Sequence, residues 1–319
     1  MRDILAGVLA AVEPHRGEGK VADYIPALAC ADPNKFGIAI ADQSGAVHGA
    51  GDCEESFSIQ SISKVFTLAL TLEKIAGALW RKVGREPSGS AFNSIVQLER
   101  EAGKPRNPLI NAGAIAVTDQ LIGSGTADAA IEALLGLLRE ESGDPAIAVD
   151  EAVAASEAAT GSRNRSLAWF MKTYSILDND VETVLGAYFR QCAVAMSCRQ
   201  LARAALFLAF DGRDPATGRE VAAWHNARRI NSVMMLCGHY DNSGEFAYRV
   251  GLPGKSGVGG GILAVAPGHG TIAVWSPGLN EAGTSAVGAR ALEALVDRTG
   301  WSVFAEPAGD AGQGISGTS

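Results

Sequence analysis

The chain has 319 residues, of which 47% are apolar and 19% charged, and its 27 basic and 35 acidic side chains give a formal net charge of −8. This composition predicts an ordered, enzyme-like globular chain and argues against a disordered one. The acidic balance gives no electrostatic reason to expect binding to nucleic acid or to an anionic membrane. The five cysteines include no Cys-x-x-Cys pair, so we expect reduced thiols in a cytoplasmic protein, without a zinc site or disulfides.

The first predicted elements are a helix and a hairpin. An apolar stripe that starts at Ile4 predicts an opening amphipathic helix and shows neither a signal peptide nor a membrane span. Residues 36–41 and 46–50, on either side of a polar turn, predict a β-hairpin. From Ser61 to about Leu236 the pattern is almost wholly helical. Its Ala- and Leu-rich runs lie at 66–79, 127–140, 181–195 and 199–210.

Strands return near the end of the chain. They are predicted at 246–250, 262–266 and 271–276, before a last helix at about 283–298 and a disordered tail at 305–319. Strands from both ends must meet in one sheet, because neither set alone is large enough to be stable. We therefore predict a discontinuous sheet lobe (1–60 and 240–304) and an inserted all-helical lobe (61–239). Seams between lobes are preferred ligand sites.

The segment Ser61-Ile62-Ser63-Lys64 opens the helical region and is the first motif that indicates chemistry. Residues three apart on a helix share one face, so the Lys64 amine can reach the Ser61 hydroxyl and activate it as a nucleophile. The ordinary interpretation is that Ser61 only caps the helix and Lys64 is solvated. Among the lysines, Lys64 alone has a serine three positions before it, which favours catalysis.

The segment Lys255-Ser256-Gly257, followed by a glycine-rich run, is the second motif. A Ser-x-x-Lys with a distant Lys-(Ser/Thr)-Gly is the signature set of penicillin-recognising serine acyltransferases and their relatives. A P-loop is excluded, because its leading glycine would fall at Arg249. The loose match to a dinucleotide fingerprint is interpreted as accidental, because a strand and not a helix is predicted after Gly261. A glycine-rich bend in a sheet remains the alternative.

Longer segments of the chain carry a family resemblance. They lie at 19–26, 57–64, 84–89, 107–115, 237–241 and 255–261. With them the chain, from about Gly19 to about Val303, resembles the bacterial serine-dependent glutaminases, which hydrolyse L-glutamine to L-glutamate and ammonia. The resemblance implies a β-lactamase- or penicillin-binding-protein-like fold, in which an antiparallel sheet flanked by terminal helices carries the inserted helical lobe. It also implies no metal or organic cofactor, and a homodimer or homotetramer.

The resemblance further implies a role for each matching residue. Ser61 resembles the acylated nucleophile, Lys64 its activating neighbour and Tyr240 the residue that handles the proton. The backbone N–H groups of Ser61 and Val258 resemble the two arms of the oxyanion hole. The positions that match substrate-binding residues are Ser61, Asn111, Glu157, Asn164, Tyr188, Tyr240 and Val258, with Tyr24 and Lys255 as supporting residues.

The chemistry of these residues agrees with the implied roles. Glutamine carries an ammonium and a carboxylate, and Glu157 with the asparagines supplies both an anionic acceptor and polar donors. Nearby lysines are expected to lower the pKa of Tyr240. Considered singly, Asn111 is also compatible with a turn, Glu157 with a solvated helix face and Tyr188 with a core position. A β-lactam-reactive hydrolase or peptidase, a non-catalytic glutamine sensor, and the choice of Lys64 or Tyr240 as the base all stay open.

Overall fold

The computed structural model describes residues 1–88 and 95–305, and within them it contains eight strands and twelve α-helices. The strands are β1 (Gly37–Asp42), β2 (Val47–Gly51), β3 (Phe57–Ser58), β4 (Ala148–Val149), β5 (Val194–Met196), β6 (Gly254–Ser256), β7 (Gly261–Ala266) and β8 (Gly270–Trp275). The helices are α1 (Arg2–Val12), α2 (Ser63–Ile75), α3 (Ile95–Arg100), α4 (Asn111–Ile122), α5 (Ala127–Ser142), α6 (Glu151–Thr160), α7 (Ser162–Thr173), α8 (Val181–Cys192), α9 (Cys198–Ala204), α10 (Trp224–Cys237), α11 (Ser243–Arg249) and α12 (Ala286–Thr299). Gly89 and residues 306–319 of the predicted tail lie outside the described residues.

Strands from the two ends of the chain form one antiparallel sheet, as predicted. Its order is β2-β1-β8-β7-β6, and the central pairing joins an early strand to a late one. In that pairing Ile38 lies opposite Val274 and Ile40 opposite Ile272. The sheet therefore requires residues from both ends of the chain, and β6, which carries Lys255, is one of its two edge strands.

The two faces of this sheet bury different cores, because successive side chains on a strand point to opposite sides. Ile38, Ile262 and Val274 belong to a cluster with α1 and α12, which places both terminal helices on one face. The alternate residues, such as Leu263 and Ala273, join the larger cluster formed with the helical region on the other face. Helix α2 packs against α4, α5, α8 and α10 within that region.

The inserted region is not all-helical, which corrects the prediction for residues 61–239. Strands β4 and β5 lie within it, and with β3 they form a small antiparallel sheet in the order β3-β5-β4. The predicted helical run 181–195 ends earlier, at Cys192. Ser197 then forms a capping box at the start of α9. The residues between these two helices therefore belong to neither helix and can adopt the extended conformation of a strand.

The predicted strand at 246–250 is wrong, because these residues continue helix α11 from Ser243. Phe246 and Val250 are buried at 5% and 2% exposure, whereas Tyr248 is 88% exposed. A strand would place all three side chains on one face, whereas a helix buries residues four apart and exposes the one between them. Within residues 1–88 and 95–305, no single helix has the length and apolarity of a membrane span. Helices α4 and α5, bent by 101°, meet those criteria only as a pair.

Candidate active site

A cavity of about 130 Å³ collects most of the predicted site residues. Of the predicted set, it is lined by Tyr24, Ser61, Asn111, Glu157, Asn164, Tyr188, Tyr240 and Val258. Lys64 and Lys255 lie behind its wall, with exposures of 1% and 0%. A larger open groove of about 920 Å³, beside Arg199 and Arg203, contains none of the predicted residues. The smaller cavity is therefore the candidate active site.

Ser61 lies in a short 3₁₀ helix, Gln60–Ile62, that leads directly into α2. The preceding residue, Gln60, has a left-handed φ of 49°, so the chain turns sharply just before the serine. The glycine-rich run after β6 packs against the backbone of this turn. A Cβ atom on Gly259 would lie 2.2 Å from the carbonyl oxygen of Ser58, so this close approach requires glycine.

Lys64 is buried and hydrogen-bonded, which excludes the interpretation of it as a solvated side chain. Its Nζ donates to Asn111 Oδ1 at 2.7 Å and to the Leu109 carbonyl oxygen at 3.3 Å. Asn111 in turn donates through Nδ2 to Asn164 Oδ1 at 3.0 Å. Burial lowers the pKa of Lys64 to about 8, because a low-dielectric environment disfavours the charged amine. A large neutral fraction is thus available just above neutral pH.

The Tyr240 hydroxyl lies beside Ser61, whose side chain acts to lower the pKa of the tyrosine. The expectation that lysines lower the pKa of Tyr240 is wrong, because burial raises it to about 12. The Lys255 and Lys64 ammonium groups lie over the ring face, 4.3 and 6.0 Å from its centroid. Lys255 Nζ donates to the carbonyl oxygens of Gly238 at 2.8 Å and Ser256 at 2.6 Å, and burial lowers its pKa.

Glu157, on α6, places its carboxyl group in the cavity and not on a solvated helix face. The residue is 7% exposed. Burial raises its pKa to about 7, whereas the Gln60 side chain and the charge of Lys64 act in the opposite direction. Tyr188 is 2% exposed and lines the same cavity. Tyr24 lies at the rim and is 54% exposed.

The backbone N–H groups of Ser61 and Val258 both belong to residues that line the cavity. Within the described residues, neither N–H group donates a hydrogen bond to another protein group. Both donors are thus available to an oxygen atom bound in the cavity. Two such donors are what an oxyanion hole needs.

Comparisons with a family model and with individual known proteins agree on one family. A family model described as glutaminase matches residues 19–304. The chain is 62% identical to a glutaminase from Methylobacterium sp. strain 4-46, which covers 92% of this chain and 94% of that protein. It is 59% identical to a glutaminase from Rhizobium rhizogenes, over 96% and 99% of the two chains.

The chain belongs to the glutaminase family.

Solved structures of the glutaminase family agree with this assignment. The structure titled "Mglu in its glutamate form" has a TM-score of 0.90 to this chain at 38% identity. The match covers 95% of this chain and 69% of that one. The mixed α/β architecture with antiparallel sheets is therefore that of a glutaminase.

Sequence reasoning missed two buried residues of this glutaminase site. Gln60 lines the cavity and acts to lower the pKa of Glu157, and its Nε2 donates to Ser58 Oγ at 2.9 Å. Cys192, at the end of α8, also lines the cavity, and burial raises the pKa of its thiol to about 12. The position of Gln60 directly before Ser61 is the one signal in the sequence that points to it.

Proposed function

We propose that the chain hydrolyses L-glutamine to L-glutamate and ammonia through an acyl-enzyme on Ser61. The observation that carries the proposal is the placement of Ser61 beside Tyr240 in a cavity that also holds a buried carboxyl group, Glu157. A serine beside a group that can take up its proton is an activated nucleophile. The carboxylate gives the same cavity a means of selecting an amino acid by its ammonium group.

In the first step Ser61 Oγ attacks the carbon of the substrate side-chain amide. The proton leaves Ser61 through the Tyr240 hydroxyl and is taken up by the neutral Lys64 amine. Lys64 is the better final acceptor, since its pKa of about 8 lies closer to the operating pH than the pKa of about 12 of Tyr240. The N–H groups of Ser61 and Val258 hold the oxyanion.

Collapse of the oxyanion breaks the carbon–nitrogen bond. The proton returns through Tyr240 to the leaving nitrogen, so ammonia departs and Lys64 is neutral again. In the second step water attacks the glutamyl ester and its proton follows the same route to Lys64. Ser61 recovers its proton as the ester breaks and L-glutamate leaves. No atom or electron has to come from a cofactor in this sequence.

Substrate selection is assigned to the groups on the helical side of the cavity. Glu157 accepts the α-ammonium group, and the amides of Asn111 and Asn164, already linked to each other, hold the remaining polar groups. Tyr188 closes this side, and Tyr24 lies at the entrance. The related Mglu structure in its glutamate form supports an amino acid of this kind in the pocket.

We also propose a β-lactamase-like arrangement for the chain, with a sheet lobe at 1–60 and 240–304 and a helical lobe at 61–239. Support comes from the five-stranded antiparallel sheet, which carries α1 and α12 on one face and the helical region on the other. We further propose that the protein is cytoplasmic and forms a homodimer or homotetramer. Light scattering that gives the mass of a single chain at micromolar concentration would contradict the homo-oligomer.

The proposed function is tested by measuring ammonia release from L-glutamine by the purified, folded protein. Steady release that stops in Ser61→Ala is the expected result. No release at millimolar glutamine would contradict the function. If glutamine then raised the melting temperature without turnover, the protein would be a glutamine sensor. Stoichiometric labelling of Ser61 by a penicillin would instead favour a β-lactam-reactive enzyme.

A further inference from the structure

His239 is a buried imidazole next to Tyr240 that has no hydrogen-bond partner. The residue is 1% exposed, and within the described residues neither Nδ1 nor Nε2 is hydrogen-bonded. Its ring stacks on Phe246 of α11, with the centroids 3.6 Å apart and the planes at 18°. A buried polar group without a partner costs free energy, so this ring requires a physical explanation.

The His239 ring and the Tyr240 side chain lie on opposite sides of one turn. Tyr240 lines the cavity, whereas the His239 ring fills the space between α11 and β6. A Cβ atom on Gly254 of β6 would lie 2.7 Å from His239 Nε2. The ring is therefore confined from both sides, and its position determines the position of the turn.

The backbone couples His239 directly to Tyr240. The N–H of His239 donates to Ser243 Oγ at 3.0 Å, and this hydroxyl donates to the carbonyl oxygen of Tyr240 at 2.9 Å. Tyr240 itself has a left-handed φ of 57°, a conformation that its surroundings must maintain. Displacement of the His239 ring would therefore release Tyr240 from its position beside Ser61.

The charges around His239 are compatible only with a neutral ring. Lys255 is the charged neighbour on β6, and the pKa of His239 is lowered well below its ordinary value, first by burial and then by Lys255. Cys237 and Tyr240, which belong to the same segment, have pKa values raised by burial to about 12 and are neutral. Asp241, the remaining titratable residue of this segment, is exposed to solvent. The charged side chains of α11 are exposed to solvent and belong to Glu245 and Arg249. An imidazolium would thus lie beside a lysine with no acceptor.

We propose that His239 is a positioning residue for Tyr240, which keeps the Tyr240 turn in its catalytic position only while the imidazole is neutral. In acid, proton uptake is coupled to a local opening of residues 238–243, which gives the imidazolium access to water and withdraws Tyr240 from Ser61. The open state binds the proton that the closed state excludes. Its population relative to the closed state therefore rises about tenfold per pH unit below the ordinary His pKa of about 6.5.

Amide hydrogen exchange tests this coupling without any assay of catalysis. Wild type, His239→Leu and His239→Met are compared between about pH 5 and about pH 7, with exchange corrected for its intrinsic pH dependence. In wild type, protection of residues 238–243 should fall about tenfold per pH unit below about pH 6.5. In both variants protection should stay constant, since the titrating group is gone. His269→Leu, which removes an exposed imidazole, should behave as wild type.

Three results would overturn the proposal. The first is an equal loss of protection in wild type and in the two apolar variants. The second is lower protection in both variants than in wild type at about pH 7, because the neutral ring would then make a contact that an apolar side chain cannot replace. The third is failure of both variants to fold at that pH, for the same reason.

The catalytic consequence rests on the proposed function and has a separate readout. At a pH where hydrogen exchange shows the open state to predominate, wild type should lose kcat reversibly, by about tenfold more per pH unit than His239→Leu. KM should change little from this cause, because Glu157 and the asparagines lie on other elements. An equal acid loss of kcat in both proteins at a pH where the open state predominates would contradict the coupling. Absence of turnover at all pH values would contradict only the proposed function, since hydrogen exchange still decides the coupling.

Discussion

The substitution Glu157→Gln tests the proposed ammonium site, because it removes the charge and preserves the size of the side chain. The residue is 7% exposed, and burial raises its pKa to about 7 from an ordinary 4.5. The difference of about 2.5 pH units, at about 1.36 kcal/mol per unit, makes ionisation about 3 kcal/mol more costly in the protein than in water. The ammonium group of the substrate offsets this cost. Loss of the charge pair between this ammonium and Glu157 should therefore lower kcat/KM roughly 30- to 700-fold, which corresponds to about 2–4 kcal/mol.

The assay is steady-state kinetics with L-glutamine and with N-acetyl-glutamine, whose acyl-amide carries no charge. Wild type should prefer the free amine strongly, and Glu157→Gln should lose most of that preference. The matched control is Glu151→Gln, an exposed residue on the same helix, which should behave as wild type. In wild type kcat/KM should also fall below about pH 7, since protonation of Glu157 in the free enzyme removes the charge. A Glu157→Gln variant with an unchanged preference for the free amine would refute the reasoning.

Three further predictions follow from burial and close packing. The value of kcat/KM should rise with pH to a plateau above about 8, since neutral Lys64 is the base in the free enzyme, and Lys64→Ala should lose nearly as much rate as Ser61→Ala; a flat pH profile would contradict this role. Gly259→Ala should lower the free energy of unfolding by about 1–3 kcal/mol, measured in urea, whereas Gly136→Ala, in open space on α5, should not lower it. Asparagine should be about 10²-fold poorer than glutamine, because its amide falls short of Ser61, and equal rates would contradict the proposed anchoring.

Most of the central sheet could be predicted, because its strands are apolar runs with turn residues at their ends. Residues 262–266 and 271–276 differ by at most one residue at each end from β7 and β8. The segment 246–250 could not be assigned correctly from the sequence. Its apolar residues Phe246 and Val250 satisfy both the two-residue period of a strand and the four-residue spacing of a helix. Strands β4 and β5 contain two and three residues, too few for any period to be visible.

The residues around the cavity could be named from motifs, but their electrostatics could not. The pKa of Tyr240 depends on how deeply tertiary packing buries it, and burial outweighs lysines that face the ring. The contact between Gln60 and Glu157 joins two distant parts of the chain and depends on the docking of α6. His239 gave no signal, because a histidine in a polar-looking segment does not reveal that both ring nitrogens are buried without partners.

The acyl-enzyme on Ser61 is the central claim, and rapid acid quenching followed by mass spectrometry tests it most directly. During turnover of L-glutamine, the peptide that contains Ser61 should gain the mass of one glutamyl group, and Ser61→Ala should show neither the adduct nor turnover. The expected loss of rate in that variant is on the order of 10⁴–10⁶-fold. If Ser61→Ala kept more than about a tenth of the wild-type rate, or carried the glutamyl group on another residue, the covalent mechanism would be wrong.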